Sequence, residues 1–317
     1  MKSLSINLCI LMITGLVAPI HAKQLQFEKS SDETSYRFAY QWVDQGNQNK
    51  SLTFSIDKTV AQNQYKNQTV FKPEIAQRYV YVELMKQAQK IDPKEARVSI
   101  QQRGEQLEVS VASRHLEMLD KWKSLMSEKQ QSAFDDYLHE HHYTRFTNHV
   151  GQEGVIPDHI RYIQESRSIV LPAAQAIYEQ LEKGSDTRGY VNLLLSWIQT
   201  IPYNELTNRV DSNGAGFFTP VEVLTNNKGD CDSKATLTAS LMRSLLPDLS
   251  MAMVYLPNHA LLAVNLGERP NEESINIRGA QHVLIEPTGP AVINIGEISD
   301  ETARHVTNGN YTVVMIP

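Results

Sequence analysis

Cysteine is nearly absent from this chain of 317 residues: there are two, Cys9 and Cys231. That excludes a disulfide-stapled scaffold, so the fold must rest on burial of apolar surface. A strong charge of either sign is also missing. The formal net charge is -6, spread along the chain without an acidic tail. No basic stripe interleaved with aromatics occurs, which argues against nucleic acid as a partner. No apolar run is long enough to span a bilayer comfortably.

The longest apolar run sits at the start. Lys2 precedes Leu8–Ile13, Leu16 and Val17, and the stretch closes on Ala18-Pro19-Ile20-His21-Ala22. A basic start, a short apolar core and a small exit residue read as a secretory leader, residues 1–22, cut after Ala22. The expected mature protein is exported and periplasmic, with no stable membrane anchor once the leader is removed. Cys9 would leave with the leader. Cys231 would then stand alone, either inert and buried, bridged to another chain, or reactive.

The expected fold class is α+β. Tyr36, Phe38, Tyr40 and Trp42 alternate with other residues, as do Leu52, Phe54 and Ile56, so each set predicts a half-buried strand. Pro73 opens a helix with Ile75, Tyr79, Val82, Met85, Ala88 and Ile91 as its apolar face. A hairpin follows around Arg103-Gly104-Glu105, then two helices, the second with Ser127 and Gln130 as a capping box. Residues 23–150 are read as an accessory α+β domain and 151–317 as the catalytic domain. His139, His141, His142 and His149 lack the spacing of a zinc-hydrolase helix and are expected at a solvated helix end. A glycine-containing loop, Asp211–Gly216, leads into the catalytic half.

That half turns on Lys228-Gly229-Asp230-Cys231-Asp232-Ser233-Lys234-Ala235. Leu237, Leu241, Met242, Leu245 and Leu246 follow, apolar on most sides, so a buried helix is expected to begin at the cysteine. A helix N-terminus favours the thiolate, the form in which cysteine attacks. Two strands answer it. One begins at His259, and the other runs from Gln281 to Glu286 before Pro287-Thr288. If Leu266 opposes Gly279 across a long polar loop, His259 falls opposite Glu286 on one face. The carboxylate can then orient the imidazole while the other ring nitrogen turns to Cys231. The loop from Gly267 to Gly279 is long enough to cover the cleft. Asn226, Asn227 and Tyr203 are candidate oxyanion donors beside the Cys231 N–H, with no choice among them.

The set Thr219-Pro220-Val221-Glu222-Val223-Leu224, Gly229-Asp230-Cys231-Asp232 with Ala235, His259-Ala260 and Glu286-Pro287-Thr288 resembles the transglutaminase-like superfamily, over roughly residues 190–290. The resemblance implies a papain-like core, with a nucleophile helix packed on an antiparallel sheet. It also implies Cys231 as nucleophile, His259 as base and Glu286 as third member, where the family usually has aspartate. Lys234 is unusual within the motif: its charge either lowers the thiol pKa or is simply solvated, and the solvated reading is the one expected here. Some periplasmic proteases of this family bind calcium, and Asp230 with Asp232 could join such a site, but two carboxylates are too few to claim a metal. No cofactor is expected.

The implied chemistry is thioester acyl transfer, by a peptidase or amidase on a protein or peptide of the cell envelope. The alternatives are a cross-linking transglutaminase and a non-catalytic binding or assembly module on the same fold.

Overall fold

The computed structural model describes residues 22–67, 69–104, 106–207 and 216–317. Most of the expected leader with Cys9, the Glu105 turn position and Asp211–Ala215 lie outside them. The chain runs β1 (Lys23–Ser31), β2 (Ser35–Val43), β3 (Asn49–Asp57), α1 (Lys58–Asn67), α2 (Pro73–Ala88), β4 (Arg97–Arg103), β5 (Gln106–Ala112) and α3 (Leu116–Glu140). It continues with β6 (Tyr143–Thr147), β7 (Glu153–Pro157), α4 (His159–Tyr178), α5 (Thr187–Ile198), α6 (Pro220–Asn226), α7 (Cys231–Leu245), β8 (Met251–Leu256) and β9 (His259–Val264). The last elements are β10 (Ser274–Ile277), β11 (Ala280–Ile285), α8 (Asp300–Thr307) and β12 (Thr312–Ile316). All the sheets are antiparallel, as an α+β fold requires. No described helix is long and apolar enough to cross a membrane.

The main core draws on residues from both sides of position 150. β1, β2 and β3 form one sheet, and Phe38, Tyr40, Trp42, Leu52, Phe54 and Ile56 share a buried cluster with α4, α5, α6 and α7. Tyr40 meets Trp197 edge-on at 5.1 Å, and the Trp42 indole N–H donates to Ser196 Oγ at 2.9 Å. Alternation along β2 correctly announces one buried face. What that face covers is the lobe that carries Cys231. The second lobe is made of α2 to β7, with two smaller cores of its own.

Three local expectations change within that lobe. Helix α2 buries Ala76, Val80 and Leu84, while Ile75, Val82 and Met85 are exposed. Helix α3 is continuous over 25 residues, so Ser127 lies mid-helix and caps nothing. His142 is buried rather than solvated, with Nε2 3.0 Å from Glu165 Oε2 and its ring against Tyr162.

The sheet that carries the candidate site has the order β10-β11-β9-β8-β12. Its two faces are both covered. Ala260, Leu262, Val264, Val283 and Ile285 join the main core, on which α7 also packs. Leu261, Ala263 and Leu284 join a second cluster against which Val306 of α8 is packed. Sheets buried on both sides read as continuous apolar runs, as β8 and β9 do.

Candidate active site

Helix α7 begins at Cys231 for a local reason. Asp230 has extended backbone (φ −87°, ψ −170°) and its side chain accepts from the Ser233 N–H, so it is the N-cap. Cys231 therefore takes the first helical position, where backbone N–H groups have no partner inside the helix. Gly229 makes room behind it, since a Cβ there would press on Val223 and Ser233. The Ser233 hydroxyl accepts from the Phe218 N–H at 2.8 Å, which ties the approach to α6 onto the same turn. Helix α6 carries a capping box of its own, Thr219 with Glu222.

His259 opens β9 immediately after the Pro257-Asn258 turn, paired with Leu256. Its Nε2 lies 2.5 Å from Glu286 Oε2, and the Cys231 thiol is near enough to act on the same ring. Burial alone pushes the imidazole down. The hydrogen bonds and charges of Cys231 and Glu286 outweigh it and push His259 up to about 10. Glu286 is itself held: the Thr288 N–H donates to its Oε1 at 2.9 Å, and Gln199 Nε2 donates to its backbone carbonyl at 2.8 Å.

The geometry brings the three predicted residues together, but by a different register. Ile285 pairs with Leu262, two residues away from the expected Ala260. The cause lies in the supposed loop. Ser274–Ile277 form β10, joined to β11 through Arg278 and Gly279, both at positive φ. A two-residue shift leaves every side chain on its face, whereas a shift of one would have separated them. Continuing the ladder puts Thr288 opposite His259 and Glu286 on the diagonal. Long side chains can still meet across a diagonal, and the extra methylene of glutamate over aspartate helps to span it. The segment expected as a cover is pinned elsewhere, with Arg188 Nη1 2.5 Å from Glu272 Oε1. None of residues 267–279 lines the cleft.

That cleft has a volume of about 340 Å³ and opens beside His259 and Glu286, walled by Pro290, Ile293, Thr302 and His305. The oxyanion candidates are placed apart. Asn226 is exposed at the end of α6. Both polar atoms of the Asn227 amide are engaged by Gln24 of β1, at 2.7 and 3.1 Å. Tyr203 forms a parallel bridge with Gly229 and is half exposed. Burial, and then the charge of Cys231, pushes its hydroxyl upward. Of the three, it is the side chain on which the charge of Cys231 acts.

Two features escaped the sequence reading. Beneath the first turn of α7, His159 is buried against Phe217 and Tyr255, with Nδ1 2.8 Å from the Tyr255 hydroxyl. Its Nε2 is 3.2 Å from Asp232 Oδ2, close enough for charge attraction but off the line of a hydrogen bond. Burial opposes charge on Asp232, yet His159 and hydrogen bonds from Asp230 and Ser233 hold it low. Asp230 moves the other way, pushed up by burial and by Asp232. Both carboxylates are therefore engaged by protein partners, and among the described residues no cluster of three or more His, Cys, Asp or Glu could hold a metal ion. The second feature is Lys234, expected in solvent and found fully buried. A single cation on an otherwise apolar helix gives no sequence signal for this.

No protein-family model, curated protein or solved structure matches this chain.

Proposed function

We propose that this protein is a cysteine-nucleophile acyl-transfer enzyme of the transglutaminase-like, papain-like kind, working as a peptidase or amidase. The single observation that supports this most is the His259 ring, held by Glu286 Oε2 at 2.5 Å and near enough to the Cys231 thiol to be raised by it. The Cys231 sulfur attacks the carbonyl carbon of an amide, and the carbonyl π electrons move to oxygen. The Cys231 N–H, with the Tyr203 hydroxyl on which the Cys231 charge acts, is assigned to receive that oxyanion. As the oxyanion collapses, the C–N bond breaks and His259 gives its proton to the leaving amine. His259 then takes a proton from water, which attacks the thioester and returns the free thiol. Glu286 holds the ring in the useful orientation and stabilises its charge. The leader-like N-terminus favours an exported enzyme with protein or peptide substrates at the cell envelope.

An activated ester tests the chemistry before the substrate is known. With p-nitrophenyl acetate, the protein should release a burst of nitrophenolate and gain one acetyl group on Cys231, seen by peptide mass spectrometry. Cys231→Ala should show neither. Absence of the adduct in the unaltered protein would leave a binding or assembly module as the better reading. Added glycine methyl ester separates the acceptors: acetyl transfer to it in preference to water would point to cross-linking.

A further inference from the structure

The Lys234 ammonium occupies a place that the acyl-transfer mechanism does not use. It is fully buried, one turn into α7 from Cys231. Its Nζ donates to the Ile201 carbonyl at 2.5 Å and to the Thr288 carbonyl at 2.6 Å. These acceptors belong to two separate segments. Ile201 follows α5 and leads to Tyr203, and Thr288 follows β11 and holds Glu286 Oε1 through its N–H. Both segments turn a backbone carbonyl toward the helix, where no strand or helix ladder supplies a donor. A buried carbonyl needs one. An ammonium has three donors on a flexible stem and can serve two chains at once.

Burying a cation is costly unless it is paired. Burial accordingly pushes Lys234 down to about 7, against the opposing charges of Glu286 and Asp230. Those two carboxylates are the charged groups that face it from β11's continuation and from its own helix start. An apolar side chain of similar length would fill the same space without this cost. The lysine is therefore explained by what it holds, which is the third member of the site.

We propose that Lys234 is a positioning residue. It clamps the Ile201–Tyr203 segment and the Glu286–Thr288 turn to the nucleophile helix, and so sets where the Glu286 carboxylate meets His259. This rests on the acyl-transfer reading of Cys231. A merely structural lysine would affect stability and leave the thiol's pH response alone. A positioning lysine acts through Glu286, so its effect should vanish when Glu286 can no longer do its work.

The experiment is a double-mutant cycle read by iodoacetamide alkylation of Cys231 from pH 5.5 to 9. Lys234→Met and Glu286→Gln should each slow the reaction at pH 6 by about tenfold. The double variant should be no slower than Glu286→Gln alone. Multiplying effects, about a hundredfold in the double variant, would overturn the proposal while leaving the activated thiol in place. An unaltered protein that alkylates slowly at pH 6 would overturn the acyl-transfer reading, and the proposal with it. Should Lys234→Met fail to fold, the Lys234 ammonium can be followed by NMR in the unaltered protein and in Glu286→Gln. Loss of the carboxylate should lower its titration by a unit or more. An unchanged titration would overturn the clamp.

Discussion

His259→Ala will convert Cys231 from a thiol that reacts readily in mild acid to one that needs alkali. In the unaltered protein alkylation by iodoacetamide should stay fast below neutrality, because the His259 ring, raised to about 10, carries its positive charge near the sulfur throughout that range. An unassisted thiol, with a pKa of about 8.5, is only about 0.3% ionised at pH 6. Removing the imidazole should therefore make the rate fall tenfold with each pH unit below neutrality. A thiolate stabilised by an imidazolium is intrinsically the weaker nucleophile, which returns part of that factor. The net loss at pH 6 should be about tenfold or more, with the rates converging above pH 9. Parallel profiles for the two proteins would mean that the histidine does nothing for the thiol.

Gly289→Ala will be among the most destabilising single-atom changes in the molecule. Gly289 has φ +64°, and a Cβ there would press into the Gln199 carbonyl, far inside contact distance. Backbone offers no rotamer by which to retreat. The left-handed conformation costs a non-glycine residue roughly 1–2 kcal/mol, and overpacking typically adds about 1–3 kcal/mol. A loss of about 3 kcal/mol in urea unfolding is expected. Gly309→Ala is the control, since Gly309 has φ +71° with open space around it. It should show only the conformational cost, about 1 kcal/mol. The clash should also disturb the site, because Gln199 holds the Glu286 carbonyl and the Ile293 carbonyl from the same side chain. Equal losses for the two substitutions would mean that the close approach does not constrain the fold.

The residues of the candidate site were easier to find in the sequence than the framework that aligns them. Cys231 stands between a capping aspartate and an apolar helix, and His259 follows a Pro-Asn break. Both positions are defined by local chemistry. The register between His259 and Glu286 was not local. It depended on β10, whose alternating Ile275 and Ile277 are buried but are embedded in polar residues that resemble a loop. The prediction kept the correct face because the error was even. β1 was hidden for a related reason: its strand is mostly exposed, and Phe27 alone of its residues packs on the main core. On α2, Ile75, Val82 and Met85 of the expected apolar face proved to face solvent, while Tyr79 and Ala88 pack on the core. Periodicity shows that a helix has a buried side, while only the neighbouring elements decide which side that is.

Lys234 and His159 mark the other limit. Each is a polar group whose role depends on carbonyls or carboxylates contributed by distant segments. Lys234 meets Thr288 across 54 positions, and His159 meets Tyr255 across 96. Nothing in their immediate neighbours in sequence announces those partners. His259 and Lys234 give the molecule opposing responses to pH. His259 is raised above its ordinary value, so its contribution to stability is full below about 6.5 and is lost as pH rises through about 10. Lys234 is lowered, so its cost is greatest below about 7 and is relieved as pH rises toward 10.5.

The account stands most directly on the protonation of His259. Its imidazole can be titrated by NMR in the protein labelled at histidine, with His259→Ala to assign the signal and Cys231→Ala to remove the sulfur. The account predicts a ring that keeps its proton to about pH 10 in the unaltered protein, and that loses it at distinctly lower pH once the thiol is gone. A ring that titrates near 6.5 in both proteins would contradict the thiolate–imidazolium pair, and with it the acyl-transfer site.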